Sequence, residues 1–339
     1  MRNKKRAVTI RDVAREAGVS VSTVSRILNG KDDVALETYD KVQSVIVKMG
    51  YASSLAARGM RSSETKVIGL ILPDVAAPYC IEVMQGVNRA ITLLDDYALI
   101  VYTTGNIWKN GTADQERRYV VLLNGSIADG VIVVTPAATD FSTDAPVVAI
   151  DPNNASPNCL AIMSTNLAGA MDAMSYLTGL GHRRIGFITG RLELVSGSER
   201  LQGYKDGLAA AGIGLDEALI QIGDFTTEVA VECTKALLSL PDRPTAIFAS
   251  NDMTAMGVYL AAREAGLCIP QDLSVIGFDN LRESTYLNPP LTTVDQFLSE
   301  MGSTAVSMLM KMIKGESIDL NPHIISTRLV NRGSCRSLI

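Results

Sequence analysis

A short segment near the amino terminus carries side chains that are suited to reading DNA bases. Val24, Ile27 and Leu28 recur at helical spacing and predict the buried face of a helix. Arg26 lies on the opposite face and can donate two hydrogen bonds to guanine O6 and N7, a contact that discriminates between bases by roughly 1–3 kcal/mol. The other side chains left outside, which suit contact with a base, a thymine methyl or a phosphate, are Val21, Ser22, Thr23 and Ser25.

Another helix must hold this surface against DNA, and the sequence places one immediately before it. Thr9 predicts the N-cap of a helix that begins at Ile10, with Asp12 placed to complete a capping box. Gly18 predicts the end of that helix, and Ser20 predicts the cap of the next one. Two capped helices joined by such a tight turn are typical of a helix-turn-helix, whose second helix enters the major groove.

A third helix is predicted from Leu36 to Met49, and Gly50 marks its end. Three short helices can share one small core, so an all-α head is expected. A polar linker follows over residues 53–63, and Ser54 offers a cap for one further short helix. So short a helix is unstable in isolation because its nucleation is costly.

The charge distribution supports a head that contacts DNA. Residues 1–66 contain 13 Lys and Arg against 7 Asp and Glu, whereas the remaining residues contain 18 against 29. A basic head on an acidic body is typical of a protein that binds a polyanion through one end. A merely solvated basic tail would give the same balance, so the spacing of the two helices decides in favour of DNA binding.

From Lys66 onward, apolar strands alternate with amphipathic helices, which predicts an α/β fold. The strands run through Val, Ile and Leu without alternation, so their faces are expected to be buried in parallel sheets. The predicted strands are Val67–Leu72, Ala98–Thr103, Gly130–Val134, Val147–Ile150, Arg184–Thr189, Ala246–Ser250 and Ser274–Phe278, and predicted helices include Tyr79–Leu94, Leu167–Leu177 and Ser198–Ala211. These units suffice for two doubly wound parallel-sheet lobes.

Polar residues stand at the strand ends, where open parallel sheets bind ligands. Asp74, Asn251 and Asp279 each come at or just after a predicted strand, while Tyr79 and Arg200 lie at the starts of helices. Planar donors and acceptors bind paired hydroxyls, and an aromatic face covers the C–H side of a sugar ring. Taken singly, each of these is more often an ordinary turn or cap residue.

The head also resembles a known family, the LacI/GalR repressors. The similarity runs through residues 8–14 (VTIRDVA) and 17–30 (AGVSVSTVSRILNG), which is far more specific than a generic helix-turn-helix. It continues through the body in residues 181–185 (GHRRI), 199–204 (ERLQGY), 250–252 (SND), 277–279 (GFD) and 289–294 (PPLTTV). The resemblance therefore covers nearly the whole chain.

The resemblance implies a role for each part of the head. Val21, Ser22 and Arg26 would read bases, while the neighbouring polar residues would lie near the DNA backbone or support the helix. Residues 54–60 would form a hinge helix on DNA, whose paired copies wedge open a minor-groove step. The DNA-binding residues expected are Thr9, Ser20, Val21, Ser22, Thr23, Ser25, Arg26, Asn29, Ala57 and Met60.

The sequence departs from the family pattern at several positions. Met60 stands where the family usually has leucine, and it remains an apolar wedge. Ser53 and Ser54 replace the usual Pro-Asn before the hinge, and Ala35 replaces a serine that caps the third helix. Thr165 stands where an aspartate usually precedes the asparagine.

For the body, the resemblance implies two lobes of the periplasmic-binding-protein-like type with a small effector between them. The expected domains are residues 1-52 (helix-turn-helix), 53-65 (hinge helix and linker) and 66-339 (effector binding and dimerisation). Within the last, the N-lobe takes about 66-164 and 294-322 and the C-lobe about 165-293 and 323-339. The effector-binding residues expected are Asp74, Tyr79, Arg200, Phe225, Asn251 and Asp279.

The function expected is that of a sequence-specific transcriptional regulator, a repressor whose binding to a palindromic operator is controlled by the effector. A sugar is the expected effector, and a purine-like corepressor is the alternative. A homodimer is expected, because no heptad repeat follows the last motif to build a larger assembly.

Two other classes of protein compete with this interpretation. An enzyme on the same scaffold would need a catalytic motif, yet no G-x-x-x-x-G-K-[ST], G-x-S-x-G or H-E-x-x-H occurs, and His182 is expected to be a helix-end residue. A secreted sugar-binding protein would need an apolar signal segment and would not need a DNA-binding head. The chain is therefore expected to be a cytoplasmic protein without a membrane span. Its five dispersed cysteines and two histidines predict neither a metal site nor a cofactor.

Overall fold

The structure, a computed structural model, describes residues 8–28, 34–51, 64–105, 112–124, 127–141, 143–153, 159–319 and 321–339. The chain divides into two units, one of residues 1–66 with 125–129 and one of residues 67–124 with 130–339. Asn29, Ala57 and Met60, together with the hinge helix expected over residues 54–60, lie outside the described residues. Within the described residues, no helix is both long and apolar enough to cross a membrane.

The first unit contains the predicted helices α1 (Ile10–Ala17), α2 (Val21–Leu28) and α3 (Leu36–Met49). The backbone N–H of Thr9 donates to the Asp12 carboxylate at 3.0 Å, and the Thr9 hydroxyl accepts from the Asp12 N–H at 3.4 Å. This is the predicted capping box at the start of α1. Gly18 ends the helix with a φ of 66°, in the left-handed region that favours glycine. The start of α2 is capped by Ser20, whose hydroxyl accepts from the Thr23 N–H at 3.0 Å.

The three helices of the head share one small apolar core. Its fully buried side chains are Val13, Ala14, Ala17, Val24, Ile27 and Val42. Leu28, predicted to point inward, is only half-buried but packs against this cluster. Burying one such large side chain is worth about 1.5–3 kcal/mol. At the start of α3, Ala35 makes no side-chain cap, as its residue type predicts.

The first lobe of the larger unit is built on an all-parallel sheet. Its strands are β1 (Val67–Leu72), β2 (Ala98–Thr103), β3 (Gly130–Val134), β4 (Val147–Ile150), β5 (Leu160–Ser164) and β11 (His323–Ile325), in the spatial order β11-β5-β4-β3-β1-β2. Leu70 of β1 pairs with Val101 of β2 on one side and with Ile132 of β3 on the other. The central strands β1, β3 and β4 are buried along their whole length.

One strand of this sheet departs from the expected burial. The side chains of β2 are half-buried or exposed, because β2 is an edge strand with a neighbour on one side only. A purely apolar run therefore predicted the strand correctly but overestimated how deeply it is buried. Its bounds, Ala98–Thr103, agree with the prediction.

The second lobe has its own sheet of six strands. These are β6 (Ile185–Ile188), β7 (Ile220–Gln221), β8 (Ala246–Ala249), β9 (Ser274–Asp279), β10 (Thr292–Asp295) and β12 (Arg328–Val330), in the order β12-β10-β9-β8-β6-β7. All neighbours pair in parallel except β12, which runs antiparallel to β10. The expectation of a purely parallel sheet is therefore corrected at this edge, where the chain enters β12 from the first lobe.

Helices cover the faces of both sheets. They are α4 (Pro78–Ile91), α5 (Thr112–Asn124), α6 (Asn166–Gly179), α7 (Val195–Ala210), α8 (Thr227–Leu238), α9 (Asp252–Glu264) and α10 (Leu298–Ile313). In the first lobe α4 packs on α10, and in the second α6 packs on α7 and α8 on α9. Gly86 and Gly302 let α4 and α10 approach closely, since an added Cβ would lie 1.9 Å from the Ser299 carbonyl oxygen or 2.2 Å from that of Val83.

The chain passes between the two sheets three times. The crossovers lie between β5 and α6, between β10 and α10, and between β11 and β12. Sheet membership places the last two crossovers after Asp295 and Ile325, whereas the lobe limits expected from the sequence follow residues 293 and 322. At the first and third crossovers, the hydroxyls of Thr165 and Thr327 form a hydrogen bond of 2.9 Å.

Candidate functional site

A cavity of about 450 Å³ lies between the two lobes at the carboxyl ends of their strands. This is the edge at which open parallel sheets bind ligands. The six residues expected to bind an effector all line it, namely Asp74, Tyr79, Arg200, Phe225, Asn251 and Asp279. The first two come from the first lobe and the other four from the second. The structure thus brings together residues that are up to 205 positions apart in the sequence.

Arg200 projects from α7 and is held by three groups of the protein. Its Nε donates to Asn166 Oδ1 at 2.9 Å, and its Nη1 donates to the Ser250 carbonyl at 2.7 Å. The guanidinium carbon lies 3.8 Å from the centre of the Phe278 ring, so the cation is stacked on an aromatic face. With 3% of its surface exposed, Arg200 is positioned before any ligand arrives.

Asp279 ends β9 and forms an ion pair with Arg200, whose Nη1 lies 3.4 Å from Asp279 Oδ1. The same oxygen accepts from Gln296 Nε2 at 2.5 Å, and Gln296 Oε1 in turn accepts from the Ser164 hydroxyl at 2.7 Å. Burial raises the pKa of Asp279 to about 6, although the charge of Arg200 acts in the opposite direction. A hydrogen-bonded chain therefore connects this carboxylate to β5 of the first lobe.

Asp151 also lines the cavity, although it was not among the effector-binding residues expected from the sequence. It follows β4 and has a φ of 48°, and the residue is 9% exposed. Burial raises the pKa of Asp151 while Arg200 lowers it. Burial and then the charge of Asp151 raise the pKa of Tyr79 well above its usual value. Asp151 ends a strand as Asp279 does, so its place at a carboxyl end was the signal that could have identified it.

Two of the expected residues also have ordinary structural roles. Asn251 caps α9, because its Oδ1 accepts from the Thr254 N–H at 2.8 Å, and its Nδ2 reaches the Phe225 carbonyl at 3.4 Å. The carboxylate of Asp74 accepts from the Ala76 N–H at 2.8 Å and so closes an Asx turn. Both residues still line the cavity. Turn chemistry and ligand contact therefore coexist at these strand ends.

Phe225 owes its position to a glycine on the neighbouring strand end. A Cβ on Gly190 would lie 1.9 Å from the Phe225 ring, so the ring rests directly on the glycine backbone. Phe225 itself has a φ of 72°, and the lining residues Thr135 and Asp279 have φ values of 46° and 109°. Side chains held at positive φ are uncommon and cluster at ligand sites. No local sequence signal predicts them.

Acids outnumber bases among the described residues that line the cavity. Its carboxylates are Asp74, Asp151, Asp224, Glu228 and Asp279, and its cations are Arg191 and Arg200. Tyr79 and Phe225 supply aromatic surface, and the hydroxyl of Tyr79 is buried without a hydrogen-bond partner among the described residues. The wall can therefore accept several hydrogen bonds from a ligand that lies against an aromatic side chain.

In the head, the surface expected to face DNA lies on one side of α2. Val21, Ser22 and Arg26 are exposed, and Thr23 and Ser25 are half-buried. The Ser20 hydroxyl lies 2.7 Å from that of Ser22 and 2.8 Å from that of Thr23, so the polar side chains at the start of the helix form one hydrogen-bonded group. The apolar face of α2 is committed to the head core, which fixes the orientation of this surface.

Comparison with known proteins bears on both units. Residues 9–54 match the family model for bacterial regulatory proteins of the lacI family, and residues 174–335 match a periplasmic binding protein-like domain. The HTH-type transcriptional repressor PurR of Escherichia coli is 35% identical over 341 residues, which cover 97% of this chain and 98% of the relative. The chain belongs to the lacI family.

Solved structures of lacI-family regulators share the architecture. A Lac repressor dimer bound to operator and the anti-inducer ONPF matches with a TM-score of 0.84 at 26% identity, covering 98% of this chain and 100% of the other. The transcriptional regulator CelR, in complex with cellobiose, matches with a TM-score of 0.68 at 28% identity, covering 96% and 99%. The predicted fold class, a helix-turn-helix head with two parallel-sheet α/β lobes, is confirmed.

Membership of the family also decides between the classes of protein considered from the sequence. The chain is a DNA-binding transcriptional repressor with a ligand-binding domain, and not an enzyme. His182 fits this conclusion, because its buried ring contacts the Thr245 hydroxyl at 2.9 Å and the Arg336 carbonyl at 3.1 Å, away from the cavity. In the described part of the chain, no cluster of His, Cys, Asp and Glu has the composition of a metal site.

Proposed function

We propose that this repressor is controlled by a sugar that binds in the cavity between the lobes. The observation that carries the proposal is the buried pair of Arg200 and Asp279. Among the described residues, Arg200 Nη2 and Asp279 Oδ2 make no hydrogen bond, while the other polar atoms of both side chains are engaged. One donor atom and one acceptor atom of this ion pair are therefore left for a ligand, which suits two neighbouring hydroxyls of one ring.

The aromatic residues of the cavity support the same ligand. Tyr79 and Phe225 come from different lobes, so a ligand that touches both would bridge the cavity and favour one relative position of the lobes. An aromatic face suits the C–H side of a sugar ring. Cellobiose, the ligand of the related regulator CelR, is a sugar that such a cleft accommodates.

A purine-like corepressor is the second candidate, and the same two aromatic side chains favour it. A flat base can lie against Tyr79 or Phe225 while its edge bonds to Asp279 or Asn251. Sequence identity to the repressor PurR is higher than identity to the solved Lac repressor. The two candidates predict opposite effects, since a corepressor strengthens operator binding and an inducer weakens it.

For the DNA-binding side, we propose that two copies of the chain place α2 in successive major grooves of a palindromic operator. Arg26, Ser22 and Val21 would contact bases. Thr9, Ser20, Thr23 and Ser25 would contact the backbone or support the helix, and Asn29, Ala57 and Met60 are assigned by resemblance alone. Residues 1-52, 53-65 and 66-339 would act as head, hinge and effector domain of a homodimer in the cytoplasm.

The proposed mechanism is a coupling between the cavity and the operator. A ligand that binds better to one relative position of the lobes shifts the dimer toward that position. If that position holds the two heads at the wrong spacing, the operator is released. By linkage, the operator must then weaken ligand binding by the same factor.

A ligand screen with two readouts tests the proposal. Purified protein is screened against pentoses, hexoses, disaccharides and nucleobases by thermal shift, because a ligand stabilises the protein by RT ln(1 + [L]/Kd). Each ligand that raises the Tm is then titrated into the complex with operator DNA, followed by fluorescence anisotropy. A sugar that stabilises the protein and releases DNA is the expected result. Stabilisation by nucleobases alone, with tighter DNA binding, would replace the sugar by the corepressor.

A further inference from the structure

Among the described residues, the innermost part of the cavity contains two buried carboxylates and one buried cation. The carboxylates are Asp151 and Asp279, which are 9% and 4% exposed, and the cation is Arg200, which is 3% exposed. Arg200 lowers the pKa of both carboxyl groups, so its charge acts on each. When all three groups are ionised, this buried cluster has a net charge of −1, because one guanidinium cannot neutralise two carboxylates.

The two carboxylates are not equally satisfied. Asp279 accepts hydrogen bonds from Gln296 and Arg200. Among the described residues, the hydroxyl of Tyr79 is the side-chain donor that faces the Asp151 carboxylate and lowers its pKa, but this hydroxyl makes no hydrogen bond of ordinary length. A buried carboxylate that is so weakly satisfied is costly. Asp151 and Tyr79 therefore form a polar subsite that the protein leaves open.

The outer wall of the cavity does not reverse this charge. Its described residues add the carboxylates of Asp74, Asp224 and Glu228 and one cation, Arg191. The Nε of Arg191 already donates to the Asp224 carbonyl at 3.2 Å, which ties its guanidinium to the same wall. An anionic group that enters the cavity would therefore meet an excess of negative charge both at the outer wall and in the innermost part.

We infer that this cleft selects its effector by charge: it takes an uncharged or cationic polar molecule and rejects phosphorylated or carboxylated forms of the same molecule. The inference rests on the proposed function and narrows it. A hydroxyl of the ligand would donate to Asp151 and accept from Tyr79, whereas an ammonium group would only donate to Asp151. An anion at that place would add a second uncompensated charge in a medium of low dielectric constant, or would need a proton to bind with it.

The test uses the full-length protein and sets of probes that share one scaffold. Glucose, glucosamine and glucose 6-phosphate form one set, ribose and ribose 5-phosphate a second, and adenosine and AMP a third. Dissociation constants are measured by calorimetry at pH 7.5 in two buffers of different ionisation enthalpy. The expected result is that, in whichever set binds, the phosphorylated member binds at least tenfold more weakly than its uncharged parent.

Two variants assign the effect to Asp151. Asp151→Asn removes the charge and keeps the shape, and asparagine tolerates the positive φ at this position. In this variant, the preference for the uncharged parent over its phosphorylated form should be at least threefold smaller than in the wild type. Asp172→Asn is the matched control, because Asp172 is an exposed carboxylate of α6 outside the cavity. If Asp151→Asn does not fold, Asp74→Asn at the exposed rim takes its place with a smaller expected change.

The outcomes separate this inference from the proposed function. A phosphorylated member that binds as tightly as its parent, without proton uptake, overturns the charge selection and leaves a sugar or purine ligand intact. If no member of any set binds, these three scaffolds are not effectors, and inorganic phosphate then tests the charge alone. Phosphate should raise the Tm of Asp151→Asn more than that of the wild type or Asp172→Asn. Equal shifts in all three proteins would overturn the inference.

Discussion

Arg200 Nη1 lies 3.4 Å from Asp279 Oδ1, and both side chains are at least 96% buried in the cavity between the lobes. Such a pair is costly to desolvate, and an uncharged pair of similar shape is often as stable. Its position at the carboxyl ends of the strands of the second lobe therefore suggests a role in binding. Each side chain keeps one polar atom for a ligand.

Replacing Asp279 by asparagine should abolish the response to ligand and preserve operator binding. The amide keeps the volume but removes the charge that pairs with Arg200 and the strong acceptor for a ligand hydroxyl, so ligand affinity should fall at least about thirtyfold, or about 2 kcal/mol. Operator titrations with and without ligand check this. Asp172→Asn is the control. Normal induction of the Asp279→Asn variant would remove Asp279 from the binding site.

The raised pKa of Asp279 also predicts how stability depends on pH. The folded protein binds this proton at a pKa of about 6 and the unfolded chain near the ordinary value of 3.8, so between these values the folded state holds more protons. Stability from this group is therefore highest at low pH and is lost as the pH rises through about 6. Burial raises the pKa of Asp252 as well, so the variant removes only part of the effect.

A comparison of unfolding curves isolates this contribution. The Tm of Asp279→Asn minus that of the wild type should increase between pH 4 and pH 6 and level off above it, because only the wild type must bury an added charge. Asp172→Asn should give a flat difference. A difference that decreases with pH would mean that Asp279 is better stabilised as an anion in the folded state than in the unfolded one.

A third prediction concerns the glycine that supports Phe225. The Cβ of Gly190→Ala would overlap the Phe225 ring, at 1.9 Å from its nearest atom, so the ring must move. Displacement of the Phe225 ring should weaken ligand binding at least tenfold and lower the free energy of unfolding by about 1–3 kcal/mol. Gly179→Ala serves as control, since a Cβ there meets nothing within 4 Å. Unchanged ligand affinity in a folded Gly190→Ala protein would show that the position of Phe225 is unimportant.

The sequence predicted α1, α2, α3 and seven of the twelve described strands, because these elements were coded locally. The capping box of Thr9 and Asp12, the end of α1 at Gly18 and the bounds of β1 all follow from residue type and period. The strands β5, β7, β10, β11 and β12 were not predicted. The antiparallel direction of β12 and the partial burial of β2 were not predicted either, since both depend on which strand lies next to which in space. The neighbours of a strand are set by the topology of the whole sheet and cannot be read from a short stretch of sequence.

The candidate site divides in the same way. Asp74, Asn251 and Asp279 lie at or just after strand ends and were selected for that reason, whereas Asp151, which follows β4, was not selected although the same signal applied to it. Gln296 gave no signal at all, because its importance comes from its contacts with Asp279 and Ser164 in different lobes. Such contacts arise only once the chain has crossed between the sheets.

The DNA-contacting surface gives a fourth prediction. Arg26→Ala should lower affinity for the operator by about 1–3 kcal/mol and leave affinity for unrelated duplexes nearly unchanged, because a base contact is lost and backbone contacts remain. Ligand binding by the isolated repressor should be unaffected. Anisotropy titrations against operator and scrambled DNA measure both quantities. Full sequence selectivity in the variant would contradict the assignment of Arg26 to base reading.

The matched control in the head is Arg15→Ala, which removes an exposed cation from α1. Any loss of affinity that it causes should be equal for the operator and for scrambled DNA. For the wild type, log Kd against log salt should be linear and steep, with a loss of about a thousandfold between 50 and 200 mM if six or more phosphates are contacted. A flat response to salt would exclude a phosphate-dominated interface.

The last prediction concerns the series of hydrogen bonds from Asp279 through Gln296 to Ser164. It states that this series couples ligand binding to operator binding. Ser164 lies on β5 beside the first crossover and does not line the cavity. Ser164→Ala therefore removes the last hydrogen bond of this series without changing a residue that lines the cavity. The Gln296 oxygen is then buried without a donor, at a cost of about 1–3 kcal/mol. That cost should differ between the two relative positions of the lobes, because Gln296 sits on the segment that crosses between them.

The expected result is a smaller ratio of operator affinities without and with saturating ligand. A change in coupling of about 0.5–2 kcal/mol, two- to thirtyfold in that ratio, is the usual range for a residue of this kind. Ser175→Ala, at an exposed position of α6, should leave the ratio unchanged. If Ser164→Ala lowers stability but keeps the wild-type ratio, these hydrogen bonds stabilise the lobes and do not couple ligand binding to operator binding. A reduced ratio at unchanged stability of the head would place the coupling on this crossover.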